Sequence, residues 1–596
     1  MSPIETELRR RADYYLQQKY LIVDYYRIRR RLAYPLPVQR LHIPQVPIPG
    51  IENYPWATWM TWELEERINS LGWAAQLLDD NDAREAVCID LLNLARWPEY
   101  QQYPMPDLSL GHAARVLASS YRQWSWLPEE VRGAIKNALQ RIVSESGPSV
   151  EKRLGNYADY NEILNVEQPH IMVANIPTIG ALGVAMAANA IEAAEKSTFN
   201  GYLKNVILAL FEMREKGFSE GVAYDGYVLD FMMDWLAFLP DADKSTFIQH
   251  PQFTRFLDES LWLSAPGDVA QVAELGDVEP QQMPFHISAQ AKAFAVQPLP
   301  ERAWYLNQFE LSAGRAGSSS QPRGALGESA LPLLRADALA ALHSSLDKIS
   351  QLQQQPNTQA KDAHHAIVLR GGWNANDAAV AIANSNSPMG HVHCDNGSVT
   401  IGTRGKWFIQ TPGYQQYLLN SEREFTLGAS SRNTPTINGQ TQTQKLAKLI
   451  SLTTQDQTQS TEIDISQCYS EELNLKKVSR KVLLTENQLA VVEDTITGEN
   501  INEISYFWHG HPDAAWWIED NWARLYLDGE TLWIHSPQVN LEENQLQRLR
   551  GSRGQLTLTP KVLLPESTSK IIRWFFLLSG IPPMENETLR RFLLTD

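Results

Sequence analysis

The sequence predicts a multidomain α+β chain in which an all-helical half precedes an antiparallel β-sandwich. Three observations carry the prediction. Apolar residues recur at helical spacing up to about Leu261, short Val- and Ile-rich runs bounded by Gly, Asn and Pro dominate from His364 onward, and a Gly/Ser-rich stretch divides the two textures. In the first half, Leu64, Ile68, Leu71, Ala75 and Leu78 mark one helix face, and Leu110, Ala114, Leu117, Tyr121 and Trp124 mark a second. Val131, Ile135, Ala138 and Ile142 mark a third, opened by Pro128 and two glutamates at the positive end of the helix dipole. Residues 171–190 carry no formal charge, yet Asn175, Pro177 and Asn189 and the Ala/Gly content read as a buried helix rather than a membrane span. Tyr227 to Leu239 is apolar almost all round and is therefore expected to be buried. Short polar breaks between such segments indicate stacked helical hairpins, arranged as a bundle, solenoid or toroid.

Ser312 to Ser329 reads as a loop or linker, and residues 330–354 as one further helix. Beyond it, HHAIVLR, DAAVAIANS, GSVTIGTRG and KWFIQ read as strands, and Asn438-Gly439 and Asp528-Gly529 as hairpin turns. The composition is that of a globular protein: among 596 residues, 43% are hydrophobic and 20% charged. A net charge of -17 argues against a general nucleic-acid binder, whose affinity comes largely from phosphate neutralisation. Cys88, Cys394 and Cys468 are too far apart to suggest a disulfide framework or a cysteine metal cluster. The charged start, MSPIETELRRRADYYLQQKY, lacks the apolar core of a signal peptide, so a cytoplasmic location without membrane association is expected.

Three clusters carry chemistry-bearing residues. His391 and His393, in HVHCDNGS, share a face if that segment is extended, which suits a metal site, a general base or a structural pair. Glu220, Tyr224, Asp225 and Tyr227, in FSEGVAYDGY, place two carboxylates and two phenols at the entry to a buried helix. Asn175 precedes Pro177 at the head of the uncharged helix, where asparagine commonly caps or turns. Tryptophans including Trp59 and Trp62 either pack between helices or present rings for sugars to stack on.

Together these clusters resemble the heparinase II/III-like superfamily of polysaccharide lyases. The resemblance rests on RGGWNANDAAVAIANS, GHVHCDNGS, GKWFIQTPGYQQY and SRNTPTINGQTQ, with NIPTIGALGVAMAA, EGVAYDGY and YFWHGHPD in support. It runs from about residue 55 to the end and is most specific over residues 368–440. It implies an N-terminal (α/α) toroid (residues 51–355) behind a helical extension (1–50), joined to a β-sandwich (356–596), with an acidic oligosaccharide or polysaccharide bound between them. The implied activity is β-elimination at a uronic acid, which needs no cofactor. The C6 carboxylate must be held, a base must take the C5 proton, and an acid must protonate the departing O4. On this resemblance Asn175 holds the carboxylate, Tyr224 is acid or both acid and base, and His391 takes the proton or activates the tyrosine. Tyr227 is the alternative tyrosine. Glu220, Arg432, Arg423, Asn433 and His393 are expected to bind substrate or support the site, and Arg404 is a further candidate.

The chain also departs from the pattern. Ile176 stands where many relatives carry a histidine. Of the family's three zinc ligands only His393 is matched, with Thr411 and Arg432 at the other two places, so no zinc is expected there. Short imported oligosaccharides would suit a cytoplasmic member, and sandwiches of this family often pair, which leaves a homodimer open. Two rivals stand beside the lyase: a glycoside hydrolase using Glu220 and Asp225, and a glycan-binding relative without turnover.

Overall fold

The computed structural model describes residues 2–25, 28–44, 51, 54–278, 284–311, 334–363, 365–385, 391–413, 418–443, 445–455, 457–485, 489–552, 554–564 and 569–578. The expected linker, Ser312 to Ser329, lies outside them.

The helical half closes into a toroid. Its inner ring runs Trp56–Leu77, Leu108–Gln123, Asn175–Ala190, Val222–Phe238, Pro284–Val296 and Ala336–His343, each packing on the next and the last returning to the first. Asn81–Ala95, Glu129–Leu154, Lys196–Glu215 and Pro300–Leu311 form an outer layer. The Asn175–Ala190 helix is charge-free because it is buried in this ring, and it is rich in Gly and Ala because its neighbour lies so close. A Cβ on Gly183 would stand 2.9 Å from the Cα of Gly111.

Charges hold the other inner helices together. Arg115 donates to both oxygens of Glu65, at 2.6 and 2.7 Å, and to Asp230 at 2.6 Å. Arg335 reaches Glu65 at 2.9 Å, and Lys292 joins Asp230, Asp234 and Asp337 at 2.6–2.7 Å. Burial alone would raise the Glu65 pKa, but Arg115 and His112 reverse that and hold it well below the usual carboxylate range.

The N-terminal stretch departs from the helical extension expected of it. Pro3–Leu16 packs on the first and last inner helices, with Ile4, Leu8 and Ala12 fully buried, so it belongs to the toroid wall. An antiparallel hairpin follows, Tyr20–Tyr25 with Arg30–Pro35.

The sandwich half is antiparallel throughout. A five-stranded sheet runs in sequence order from Lys361–Asp362 to Lys406–Ile409, and an eight-stranded sheet and two three-stranded sheets complete the half. Ala366–Arg370, Ala378–Ala383 and Val399–Thr403 are buried at every position because the five-stranded sheet is a middle layer. Val380, Ile382 and Ile401 join the sandwich core, while Ala379, Ala381 and Trp407 join a core shared with Trp262, Phe294 and Phe309 of the toroid. Asn438-Gly439 and Asp528-Gly529 make the expected turns, both residues of each pair having positive φ. Among the described residues no helix is long and apolar enough to cross a membrane.

Burial pushes the pKa values of His112, His286 and His365 down to about 4 and that of His509 to about 3. Below an unfolded value of about 6.5 the unfolded chain therefore takes up protons that the native protein refuses. Stability falls as pH drops from there towards 4, by up to about 1.4 kcal/mol per pH unit for each histidine. The urea midpoint is accordingly expected to be clearly lower at pH 5 than at pH 7.5; equal midpoints would contradict this account.

Candidate active site

The site is built outward from Asp225. In the first turn of the Val222–Phe238 helix, its carboxylate accepts from the Glu220 N–H (3.1 Å), the Ser219 hydroxyl (2.5 Å) and Arg214. These bonds fold the preceding loop against the helix start and fix Glu220. Glu220 then accepts from the backbone N–H of Asn175 at 2.8 Å, from the Asn175 side-chain amide, and from His391 Nδ1 at 3.2 Å. One buried carboxylate thus caps the Asn175–Ala190 helix, which has no side-chain cap of its own, and orients a histidine of the sandwich half. His391 lies flat on Tyr224, with ring centroids 3.8 Å apart and planes 9° from parallel.

The backbone of His391 is held as firmly as its ring. Its carbonyl accepts the Asp277 N–H at 2.7 Å, and the Asp277 carboxylate meets His393 Nε2 at 2.7 Å. Gly276 has a φ of 80°, and a Cβ there would come within 2.7 Å of the His391 carbonyl, so only glycine fits. The 391–398 segment turns rather than extending into a strand, yet both histidines reach toroid carboxylates.

Asn175, Tyr224, Tyr227 and His391 line one cleft of about 320 Å³ together with Trp59 and Trp62, within the size range of small-molecule sites. The two tyrosines stand in different settings. Tyr227 is fully buried and its hydroxyl bonds to His112 Nε2, while His112 Nδ1 meets Glu65 at 2.6 Å. With Glu65 ionised, His112 donates from Nδ1 and accepts from Tyr227, so the Tyr227 proton points away from the cleft. Burial also holds the Tyr227 pKa well above its ordinary value. Tyr224 instead faces His391.

Several expected substrate-binding residues lie elsewhere. Asn433 is buried: its amide donates to the Val399 carbonyl and accepts from the His509 N–H, both at 2.9 Å. Arg432 is buried, bonds to the Thr426 carbonyl and faces Asp395. His393 is buried on Asp277 and makes no bond to His391, so its role is to tie the two halves together. Arg423 lies half-buried in the short Ser421–Leu427 helix, and Arg404 in a hairpin turn pairs with Glu530; neither lines the cleft. Glu220 acts behind the lining, and Asp225 faces Arg214, so the pair required by a hydrolase does not flank the cleft. Sequence reasoning missed Glu65, His112 and Asp277. The signal for the first two was a charged residue and a histidine on faces otherwise apolar.

The residues at the family's zinc position do not fit the metal. His393 is engaged by Asp277, the Thr411 hydroxyl bonds to the Glu274 carbonyl at 2.9 Å, and Arg432 brings a cation. Among the described residues two other groups have suitably close ligand atoms, Asp225 with Glu259 and His365, and Asp230 with Asp234 and Asp337. Arg214 bonds within the first and Lys292 within the second, each supplying the positive charge itself.

Residues 360–572 match the family model described as heparinase II/III-like, C-terminal. The sandwich half is a heparinase II/III-like domain. The fold likeness extends through the toroid. Heparinase III is 13% identical, with 97% of this chain and 84% of that chain covered and a TM-score of 0.58. A heparan sulfate lyase from Pedobacter heparinus is 13% identical, with 96% and 82% covered and a TM-score of 0.55. A heparinase III with methylated lysines is 12% identical, with 96% and 83% covered and a TM-score of 0.52. At these identities the likeness establishes the fold: a toroid joined to a heparinase II/III-like sandwich. Comparison with curated protein sequences gives no match.

The Tyr227–His112 bond is testable by stability. Tyr227→Phe leaves His112 Nε2 buried without a donor and is expected to cost about 1–3 kcal/mol in urea unfolding; an unchanged unfolding free energy would refute the assignment.

Proposed function

We propose that this heparinase II/III-like protein is a lyase that cleaves a uronic-acid-containing oligosaccharide or polysaccharide by β-elimination. The observation that carries the reading is the convergence of Asn175, Tyr224 and His391 on one cleft, two of them organised by the same Glu220 carboxylate. The Asn175 amide nitrogen has two hydrogens and Glu220 takes one, which leaves the other for the C6 carboxylate of a uronate. That contact disperses the negative charge that builds on the carboxylate as C5 loses its proton.

His391 is the better base. Its Nδ1 proton is held by Glu220, which directs the Nε2 lone pair to the substrate. Tyr224 is the better acid, because its phenol carries a proton to give, whereas His391 leaves only a lone pair for the substrate. Among the described residues lining the cleft there is no Lys or Arg to favour a phenolate base. In the reaction His391 Nε2 takes the C5 proton, the freed electron pair forms the C4–C5 double bond, and the C4–O4 bond breaks. O4 leaves with the proton donated by Tyr224. No water or external nucleophile enters. The heparan sulfate named for the Pedobacter enzyme belongs to the same broad class of uronate glycans. The modest cleft volume suits short chains or chain ends.

The test is to incubate the protein with a panel of uronate glycans and follow near-ultraviolet absorbance of the unsaturated product. Tyr224→Phe and His391→Ala are each expected to lower the rate about 10²–10⁴-fold, and Glu220→Gln to lower it by less than either. Sugar release without new absorbance, or activity that survives both substitutions, overturns the proposal.

A further inference from the structure

We infer that the cleft selects an unsulfated uronate oligosaccharide, one whose charge resides in carboxylates alone and whose apolar sugar face rests on the Trp59–Trp62 shelf. The inference deepens the lyase reading and rests on it.

Sulfate esters are recognised by guanidinium and ammonium groups, which supply several charge-assisted donors at once. Among the described residues lining this cleft His391 is the single basic side chain, and its Nδ1 is already directed at Glu220. The arginines behind the shelf are engaged: Arg115 with Glu65 and Asp230, and Arg335 with Glu65. The arginines that the motifs offered, Arg404, Arg423 and Arg432, stand outside the lining.

The surface that the cleft does present is mostly carbon. Met105 and Ile176 line it and are 48% and 40% exposed, among the more exposed large apolar side chains of the described protein. A sulfate brought against them would lose water and gain no partner. The one carboxylate among the described lining residues, Asp107, is turned inward. It accepts from the backbone N–H groups of Leu110 (3.0 Å), Gln102 (2.8 Å) and Tyr103 (3.1 Å) and from the Ser109 hydroxyl (2.6 Å). It caps a helix and adds nothing that would bind a cationic sugar.

Trp59 and Trp62 stack with centroids 5.3 Å apart and planes 1° from parallel, and Phe285 and Tyr227 support Trp62 within 4.7 and 5.4 Å. Trp59 and Trp62 are only 6% and 5% exposed, so the shelf gives a sugar a narrow strip of apolar ring, rigid before the ligand arrives and costing little ordering of the protein. A chain with net charge -17 also gives no long-range attraction to a densely charged polymer.

The experiment is calorimetric titration of the full-length Tyr224→Phe protein at moderate salt with matched tetrasaccharides: heparosan against heparan sulfate, and chondroitin against chondroitin sulfate, with oligoalginate as a third backbone. At least one unsulfated ligand is expected to bind, and at least tenfold tighter than its sulfated partner. Met105→Arg is expected to shrink that ratio at least threefold, and Trp59→Phe to weaken binding of the unsulfated ligand. Equal or tighter binding of the sulfated partner overturns the inference, as does an absence of binding by every unsulfated ligand. The lyase reading is judged separately, by unsaturated product from the parent protein. Product formed only from sulfated chains would sink this inference and leave that reading standing, whereas selective binding without product would do the reverse.

Discussion

Arg115 is the charge around which the helical ring closes. Its guanidinium is almost fully buried, and such a group is tolerated only when its donors are matched by acceptors held in place. Glu65 and Asp230 provide the match, and Arg335 and Lys292 extend the set, so that five of the inner helices contribute to one connected group of charges. Removing one member leaves its partner uncompensated, at a cost of roughly 3–5 kcal/mol for a buried pair. The ring is therefore specified by pairing as well as by apolar burial. The sixth helix, Asn175–Ala190, takes no part in the charges, and its small side chains let it approach its neighbour closely.

The same charges set one wall of the cleft. Glu65 orients His112, His112 holds the Tyr227 hydroxyl, and Tyr227 supports Trp62. The opposite dependence runs through Asp225 and Glu220 to Asn175 and His391. Asn175 and His391 are thus both held by the one Glu220 carboxylate behind the cleft lining.

Much of this was legible in the sequence. Helical periodicity and its replacement by strand texture gave the two halves, because both periods are local and repeat over many residues. Asn175, Tyr224 and His391 came from motifs, and the structure brings all three to one cleft. The failures share a cause. Arg432 and Asn433 stand inside a family motif, but the motif marks a position and not the direction in which the side chain points. Both are buried on backbone carbonyls. Glu65 and His112 lie 47 residues apart, and His112 and Tyr227 lie 115 apart, so no window of sequence holds the relay. The N-terminal helix lay outside the stretch that carries the resemblance, although its buried stripe of Ile4, Leu8 and Ala12 has ordinary helical spacing.

The clamp formed by Gly276, Asp277 and the His391 carbonyl divides the site between two independently patterned stretches of chain. A toroid alone would carry Asn175, Tyr224 and the tryptophan shelf, but its Glu220 would have no imidazole to orient. A sandwich alone would carry His391 on a turn with nothing to fix it. The cleft is therefore complete only when the halves dock in register, and an intact site doubles as a quality check on assembly. A nascent or partly unfolded chain would present half a cleft until its last domain is in place.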